Sequence, residues 1–294
     1  MTYRAGFVSF VGRPNVGKST LMNALVGEKV AITSSKPQTT RHAIRGILHR
    51  EDGQLVIVDT PGIHRPRTLL GQRLNDLVQS TLADVDVIAL CIPATDKVGP
   101  GDRYIAKSLE SFGRARKIAL VTKTDVATST QIAERLLEVS ELGEWESIIP
   151  VSGITGEQLD IVVREIISLM PESEPLYPSE DSTEQTLEVR IGELIREATL
   201  EGVSDELPHS IAVTIDEMGD REDGLLQIFA NVWVERDSQK GIIIGKGGQK
   251  LKGIGQEARL GIEKLLDRRV YLALQVKVSK EWQRDPKKLD KLGL

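Results

Sequence analysis

A single cysteine in 294 residues, Cys91, rules out a disulfide framework. It lies in the apolar run Val87-Ile88-Ala89-Leu90-Cys91-Ile92 and reads as a small core hydrophobe rather than a reactive thiol. A zinc centre is excluded too: the four histidines, at 42, 49, 64 and 209, offer no paired ligand spacing. No run reaches the roughly 18 apolar residues that a membrane-spanning helix needs. The opening Met1-Thr2-Tyr3-Arg4-Ala5 leads straight into a strand-like segment and shows no signal peptide. A chain with these absences is expected in the cytoplasm.

Charge is present but unevenly spread. The net charge is −5, yet residues 240–294 carry fourteen Lys/Arg against six Asp/Glu, so the first 239 residues carry −13. A basic tail on an acidic body points to an anionic partner for the tail; a solvated helical face would look the same on charge alone.

Strand-like runs at 6–11, 43–49, 54–59, 85–93, 117–122 and 147–151 alternate with segments of helical spacing such as 155–170. That alternation predicts an α/β fold with a mostly parallel sheet. Arg50-Glu51-Asp52-Gly53 between the second and third runs is a hairpin signal, so one edge strand is expected to be antiparallel. The stretch 173–183, rich in proline and acid, reads as a linker between a first domain, 1–172, and a second, 184–294. The second domain reads as helix (184–201), strands (209–217 and 225–235), a glycine-rich turn, helix (249–266), strand (270–278) and a short basic C-terminal helix: an α+β unit.

Gly12-Arg13-Pro14-Asn15-Val16-Gly17-Lys18-Ser19 fits G-x-x-x-x-G-K-[ST] between a predicted strand and a predicted helix, as a phosphate-binding loop requires. Its glycines let backbone N–H groups curl around phosphate, and the helix N-terminus adds positive potential. Lys18 is expected to reach the β/γ-phosphates and Ser19 to hold Mg²⁺, with Thr20 following in the same stretch. Asp59-Thr60-Pro61-Gly62 ends the next strand; Asp59 can face the magnesium and Gly62 can offer its N–H to a γ-phosphate. In the polar loop 34–41, Thr40 is assigned over Thr39 as the residue that ligates Mg²⁺ only when γ-phosphate is present, the behaviour of a switch.

Thr122-Lys123-Thr124-Asp125 follows a strand, and a carboxylate at Asp125 can accept from guanine N1–H and the 2-amino group, which adenine does not offer. The stem of Lys123 can cover the ring, and Ser152-Gly153-Ile154 can supply a backbone N–H to O6. In the second domain, Gly245-Lys246-Gly247-Gly248 is a G-x-x-G loop, the element with which KH domains clamp about four nucleotides. Lys246, Lys250, Lys252 and Arg259 supply charge beside it, and Ile243 and Ile244 are candidates for an apolar base groove or for core.

The first set of segments resembles the signature of translation-factor-class GTPases. Together with Pro37-Gln38-Thr39-Thr40-Arg41-His42 and Lys240 through Gln249, the whole chain resembles the Era-type GTPases of bacteria. Two departures stand out: Thr122 where that signature has asparagine, and Gly153 where it has alanine. The resemblance implies a P-loop GTPase domain followed by a type II KH domain. It also implies binding of GTP and GDP, Mg²⁺, and small-subunit ribosomal RNA near its 3′ end. A monomer acting on a 30S-type subunit, with peripheral contact at the inner membrane, is expected from it. The position after Gly62 is Ile63, with His64 next, so no glutamine orients the attacking water. Asn15 is the candidate to help ligate K⁺ in compensation, as in related GTPases.

Overall fold

The computed structural model describes residues 2–34, 36, 39–63, 66, 68–203 and 210–294. The expectations placed on Pro37, Gln38, His64 and His209 lie outside the described residues. Two compact units separate. The first holds residues 1–31, 40–65 and 73–184; the second holds 32–39, 66–72 and 185–294.

In the first unit, β1 (Arg4–Val11), β3 (Gly53–Asp59), β4 (Val87–Pro93), β5 (Arg116–Thr122) and β6 (Ile148–Pro150) form a sheet with β2 (Ile44–His49) in the order β2-β3-β1-β4-β5-β6. Every residue of β3 and β4 is buried, as continuous apolar runs covered on both faces should be. All neighbouring pairs are parallel except β2 with β3, the hairpin closed by Arg50 N–H to the Gly53 carbonyl at 2.9 Å. Helices α1 (Lys18–Val26), α2 (Leu69–Asp84), α3 (Pro100–Leu109), α4 (Ser129–Ser140) and α5 (Leu159–Leu169) connect the strands. The chain leaves β1 toward β3 on one side and reaches β4 on the other. The turn after β1 therefore sits where strand order reverses, the usual place for a ligand in an open α/β sheet. Cys91 is fully buried, and burial pushes its thiol up to about 12, so it is inert packing.

The stretch 173–183 is not a free tether. It runs along the exposed edge of β2 as a strap: Ile47 N–H donates to the Ser182 carbonyl at 2.8 Å, and Thr183 Oγ1 donates to the Arg45 carbonyl at 2.7 Å. Gln54, wholly buried, anchors it. Its Oε1 accepts from Leu176 N–H and Tyr177 N–H at 2.7 and 3.0 Å, and its Nε2 donates to the Tyr177 carbonyl at 2.9 Å. A buried amide with these partners satisfies the strap's main chain as another strand would.

The second unit runs α6 (Leu187–Glu201), β7 (Ala212–Asp220), β8 (Leu226–Val234), α7 (Asp237–Ile244), α8 (Gln249–Leu266), β9 (Val270–Val278) and α9 (Pro286–Lys291). Its sheet order is β7-β8-β9, antiparallel then parallel, and α6 and α8 pack on one another. Ile191, Ile195, Ile228, Val232 and Ile262 are central to its core. Helix α7 departs from the sequence expectation, which placed no helix before the glycine turn. Its start is fixed by Gln239, whose Oε1 accepts from Glu235 N–H and Arg236 N–H at 2.8 and 3.0 Å.

Candidate functional site

The turn after β1 places Gly12 at φ 155°, Asn15 at φ 63° and Gly17 at φ 100°. A Cβ at Gly12 would lie 2.6 Å from the Cys91 carbonyl oxygen, so the loop closes against β4 only with glycine there. Lys18, first residue of α1, is 6% exposed, and its Nζ donates to the carbonyls of Gly12 and Arg13 at 3.3 and 3.1 Å. The neighbouring cation, Arg13, is turned to Asp102 (2.8 Å) and Asp96 (3.5 Å), leaving Lys18 as the cation of the phosphate loop.

Three oxygens converge beside it. Ser19 Oγ donates to Asp59 Oδ2 at 2.6 Å, Thr40 Oγ1 donates to the same atom at 3.0 Å, and the two hydroxyls are 3.3 Å apart. Asp59 is fully buried and its Oδ1 has no partner among the described residues. Burial raises the Asp59 carboxyl above its ordinary value, opposed by Lys18 and the two hydroxyls; burial lowers the Lys18 ammonium, opposed chiefly by Asp59. Two hydroxyls and a carboxylate with an orphaned oxygen form a hard-oxygen cluster suited to Mg²⁺. Thr40, not Thr39, reaches this cluster; Thr39 Oγ1 donates instead to the Lys36 carbonyl at 2.6 Å. The Thr60 hydroxyl donates to the Phe10 carbonyl at 3.1 Å and ties the turn to β1. Gly62 backs onto the phosphate loop so closely that a Cβ would fall 2.8 Å from Pro14 N.

A second hollow, about 180 Å³, is lined by Gly17, Thr20, Leu21, Thr122, Lys123, Asp125, Val126, Gly153 and Ile154. It unites the end of β5 with the turn after β6. Ser152 is wholly buried: its Oγ donates to Asp125 Oδ1 at 2.7 Å and accepts from Ile154 N–H and Thr155 N–H at 3.2 and 3.1 Å. Thr122 Oγ1 donates to the Val16 carbonyl at 2.6 Å, tying the base site to the phosphate loop. Leu21 and Val126 were missed by motif reading. Leu21 was findable, since it lies one helical turn beyond Gly17 on α1.

In the second unit, Gly245, Gly247 and Gly248 have φ of 71°, 60° and 76°, a run of left-handed backbone that favours glycine. No atom lies within 4 Å of where a Cβ would stand at Gly247 or Gly248, so their main chain is open to close approach. Lys246 is exposed, as are Lys252 and Arg259, which share one face of α8 two turns apart. Lys250 packs its Cβ beneath Gly245. Of the two alternatives for Ile243 and Ile244, groove or core, Ile243 takes the second: it is 0% exposed in the core, with Ile244 partly buried against the same cluster, because α7 turns that position inward while Ile242 stays 42% exposed.

Residues 7–124 match the family model described as 50S ribosome-binding GTPase, and residues 206–283 match that of the KH domain. The chain is 58% identical to GTPase Era of a Nocardioides species, over 99% of this chain and 96% of that one. Against GTPase Era of Mycolicibacterium smegmatis it is 58% identical over 99% of both. Among solved structures, Era in complex with MgGDPNP and nucleotides 1506–1542 of 16S ribosomal RNA matches with a TM-score of 0.95, at 36% identity over 99% of each chain. Aquifex aeolicus Era bound to GDP and AlF4− matches with a TM-score of 0.94, at 36% identity over 99% of each chain.

Proposed function

This chain belongs to the Era family of GTPases, and we propose that its GTP cycle governs how its KH domain holds single-stranded ribosomal RNA near the 3′ end of the small subunit during assembly of that subunit. One observation carries the reading: a phosphate loop, an oxygen cluster and a guanine-type pocket share the first unit, and an open G-x-x-G loop lies in the second.

In hydrolysis a water oxygen bonds to the γ-phosphorus as the bond from that phosphorus to the β–γ bridging oxygen breaks, leaving GDP and phosphate. Lys18 lies beneath the loop and faces the negative charge that grows on the phosphate oxygens. Backbone N–H groups of the loop and of Gly62 share that charge. Ser19, Thr40 and Asp59 are the residues that would hold Mg²⁺, which when bound neutralises charge across the β- and γ-phosphates. Asp125, aimed by Ser152, selects guanine. Ile63 is 9% exposed and packed in the core, so it orients no water.

Asn15, exposed at the tip of the loop, is proposed to help ligate K⁺, which would supply positive charge where other GTPases use an arginine. GTP turnover is expected to be at least about tenfold faster in potassium than in sodium at equal ionic strength, a barrier change of about 1.4 kcal/mol. Asn15→Ala should erase the difference. Equal wild-type rates in the two salts would reject the ion; stimulation surviving in the variant would reject this ligand.

For the RNA site, Lys246→Asp with Gly247→Asp is expected to weaken binding of a single-stranded small-subunit 3′-end oligonucleotide by at least about tenfold and to flatten its salt dependence by roughly one per lost phosphate contact. GDP binding should be untouched. Fluorescence anisotropy across a salt series is the measurement, and wild-type binding by the variant would remove RNA from this loop. The reading further places the protein in the cytoplasm as a monomer, with peripheral contact at the inner membrane. Among the described residues, no helix is long and apolar enough to cross a membrane.

A further inference from the structure

Arg13 acts on the phosphate loop in two directions. Its main-chain carbonyl accepts from Lys18 Nζ at 3.1 Å. Its guanidinium leaves the loop: Nε donates to Asp102 Oδ1 at 2.8 Å, and Nη2 lies 3.5 Å from Asp96 Oδ2. Asp102 is the third residue of α3 and is 1% exposed. Its other oxygen, Oδ2, accepts from Gly99 N–H at 2.9 Å, so one carboxylate caps α3 and holds the loop at once. Strands β1 and β4 are parallel neighbours, so the loop after β1 and the turn from β4 into α3 open at the same end of the sheet. The arginine stem passes Gly101 so closely that a Cβ there would lie 3.0 Å from Arg13 Cδ. Glycine is a poor helix former, and at this position it gives the arginine room.

The loop has a physical need of such an anchor. Asn15 at φ 63° and Gly17 at φ 100° both hold left-handed backbone, which surrounding structure must maintain. We propose that Asp102, acting through Arg13, is a positioning residue for nucleotide binding: it holds the phosphate loop in its binding shape, with the Arg13 carbonyl on Lys18, before any phosphate arrives. The proposal rests on the phosphate-loop reading above and adds to it a residue of α3 that touches no nucleotide. A loop ordered in advance loses less entropy when the ligand binds. Bound phosphate holds the loop through its own N–H contacts, so the anchor acts on affinity rather than on the chemical step, and it serves GDP and GTP alike. The rival role for Arg13 is to leave Asp102 and meet the charge that grows on the phosphates. Losing the arginine would then cost kcat, and freeing it from Asp102 would not.

The test uses the full chain with Asp102→Asn, Arg13→Ala and the two combined, read by GDP titration and steady-state GTP turnover. Asp102→Asn keeps the side chain's shape and a carbonyl oxygen for Gly99 N–H, but turns an amide toward Arg13. In each single variant the GDP Kd and the KM for GTP are expected to rise together about tenfold, the size of one lost hydrogen bond to a charged group. The kcat should stay within about twofold of wild type. The combined variant should bind no more weakly than either single one, because both changes break the same link. Arg13→Ala leaves Asp102 buried without its cation, so Asp102→Asn is the variant that decides if the other folds poorly. An unchanged GDP Kd in Asp102→Asn would overturn the proposal. So would a fall in kcat at unchanged Kd in Arg13→Ala, which marks a charge-stabilising role, or fully additive losses in the combined variant. A wild-type chain that binds no GDP would count instead against the phosphate-loop reading itself.

Discussion

Lys18→Ala is expected to lower GDP affinity by about 100- to 1,000-fold in isothermal titration, the cost of stripping one partner from a buried charge pair. The magnitude follows from isolation. Lys18 is 6% exposed, and Arg13 is occupied by Asp102 and Asp96, so no second cation of the loop can replace it. The same variant bears on stability as well as on binding. A lysine whose folded-state pKa is depressed contributes stability that is present above its unfolded value of 10.5 and is lost as pH falls through the folded value. A carboxyl whose folded pKa is raised contributes stability that is present below its unfolded value of 3.8 and is lost as pH rises through the folded value. Near neutral pH both buried charges therefore weigh against the empty fold. Lys18→Ala leaves Asp59 buried without its cationic neighbour, so the empty protein should melt below wild type, and the rise of its melting temperature with GDP should be abolished. Wild-type affinity in the variant would end the phosphate-loop assignment.

Asp125→Asn should turn base preference from guanine toward xanthine by roughly four orders of magnitude, the range for a pocket that leaves buried polar groups unpaired with the wrong base. The structure favours a clean exchange. Ser152 Oγ already donates to Asp125 Oδ1 at 2.7 Å, so an asparagine would keep its carbonyl oxygen toward Ser152 and present its amide to the base. That amide pairs with a carbonyl at C2 and clashes with the guanine 2-amino group. Competition titration with GDP and XDP measures it, and a variant that still prefers GDP would place base recognition elsewhere.

The nucleotide elements were legible because each motif couples side-chain chemistry to a strand end, and strand order then brings the ends together. The departures became intelligible only in three dimensions. Thr122 replaces an amide, yet its hydroxyl still reaches the Val16 carbonyl. Gly153 stands where a Cβ would lie 3.1 Å from Leu21 Cα, so glycine there lets the turn after β6 lie close against α1. Helix α7 has no helical signature in the sequence because Gly241-Ile242-Ile243-Ile244 is strand-prone by propensity; burial of Ile243 in the core overrides that preference.

The strap along β2 bears on where this protein can be divided. Strand β2 is the antiparallel rim of the six-stranded sheet, and a bare rim offers unpaired N–H and C=O groups to any other extended chain. Ser182 and Thr183 occupy those groups, and buried Gln54 holds the segment leading to them. A fragment ended at 172 by the proline-rich composition would lose this cover and leave the Gln54 amide without its partners at Leu176 and Tyr177. It would be prone to self-association through β2, whereas one ended after Glu184 would carry its own protection against aggregation.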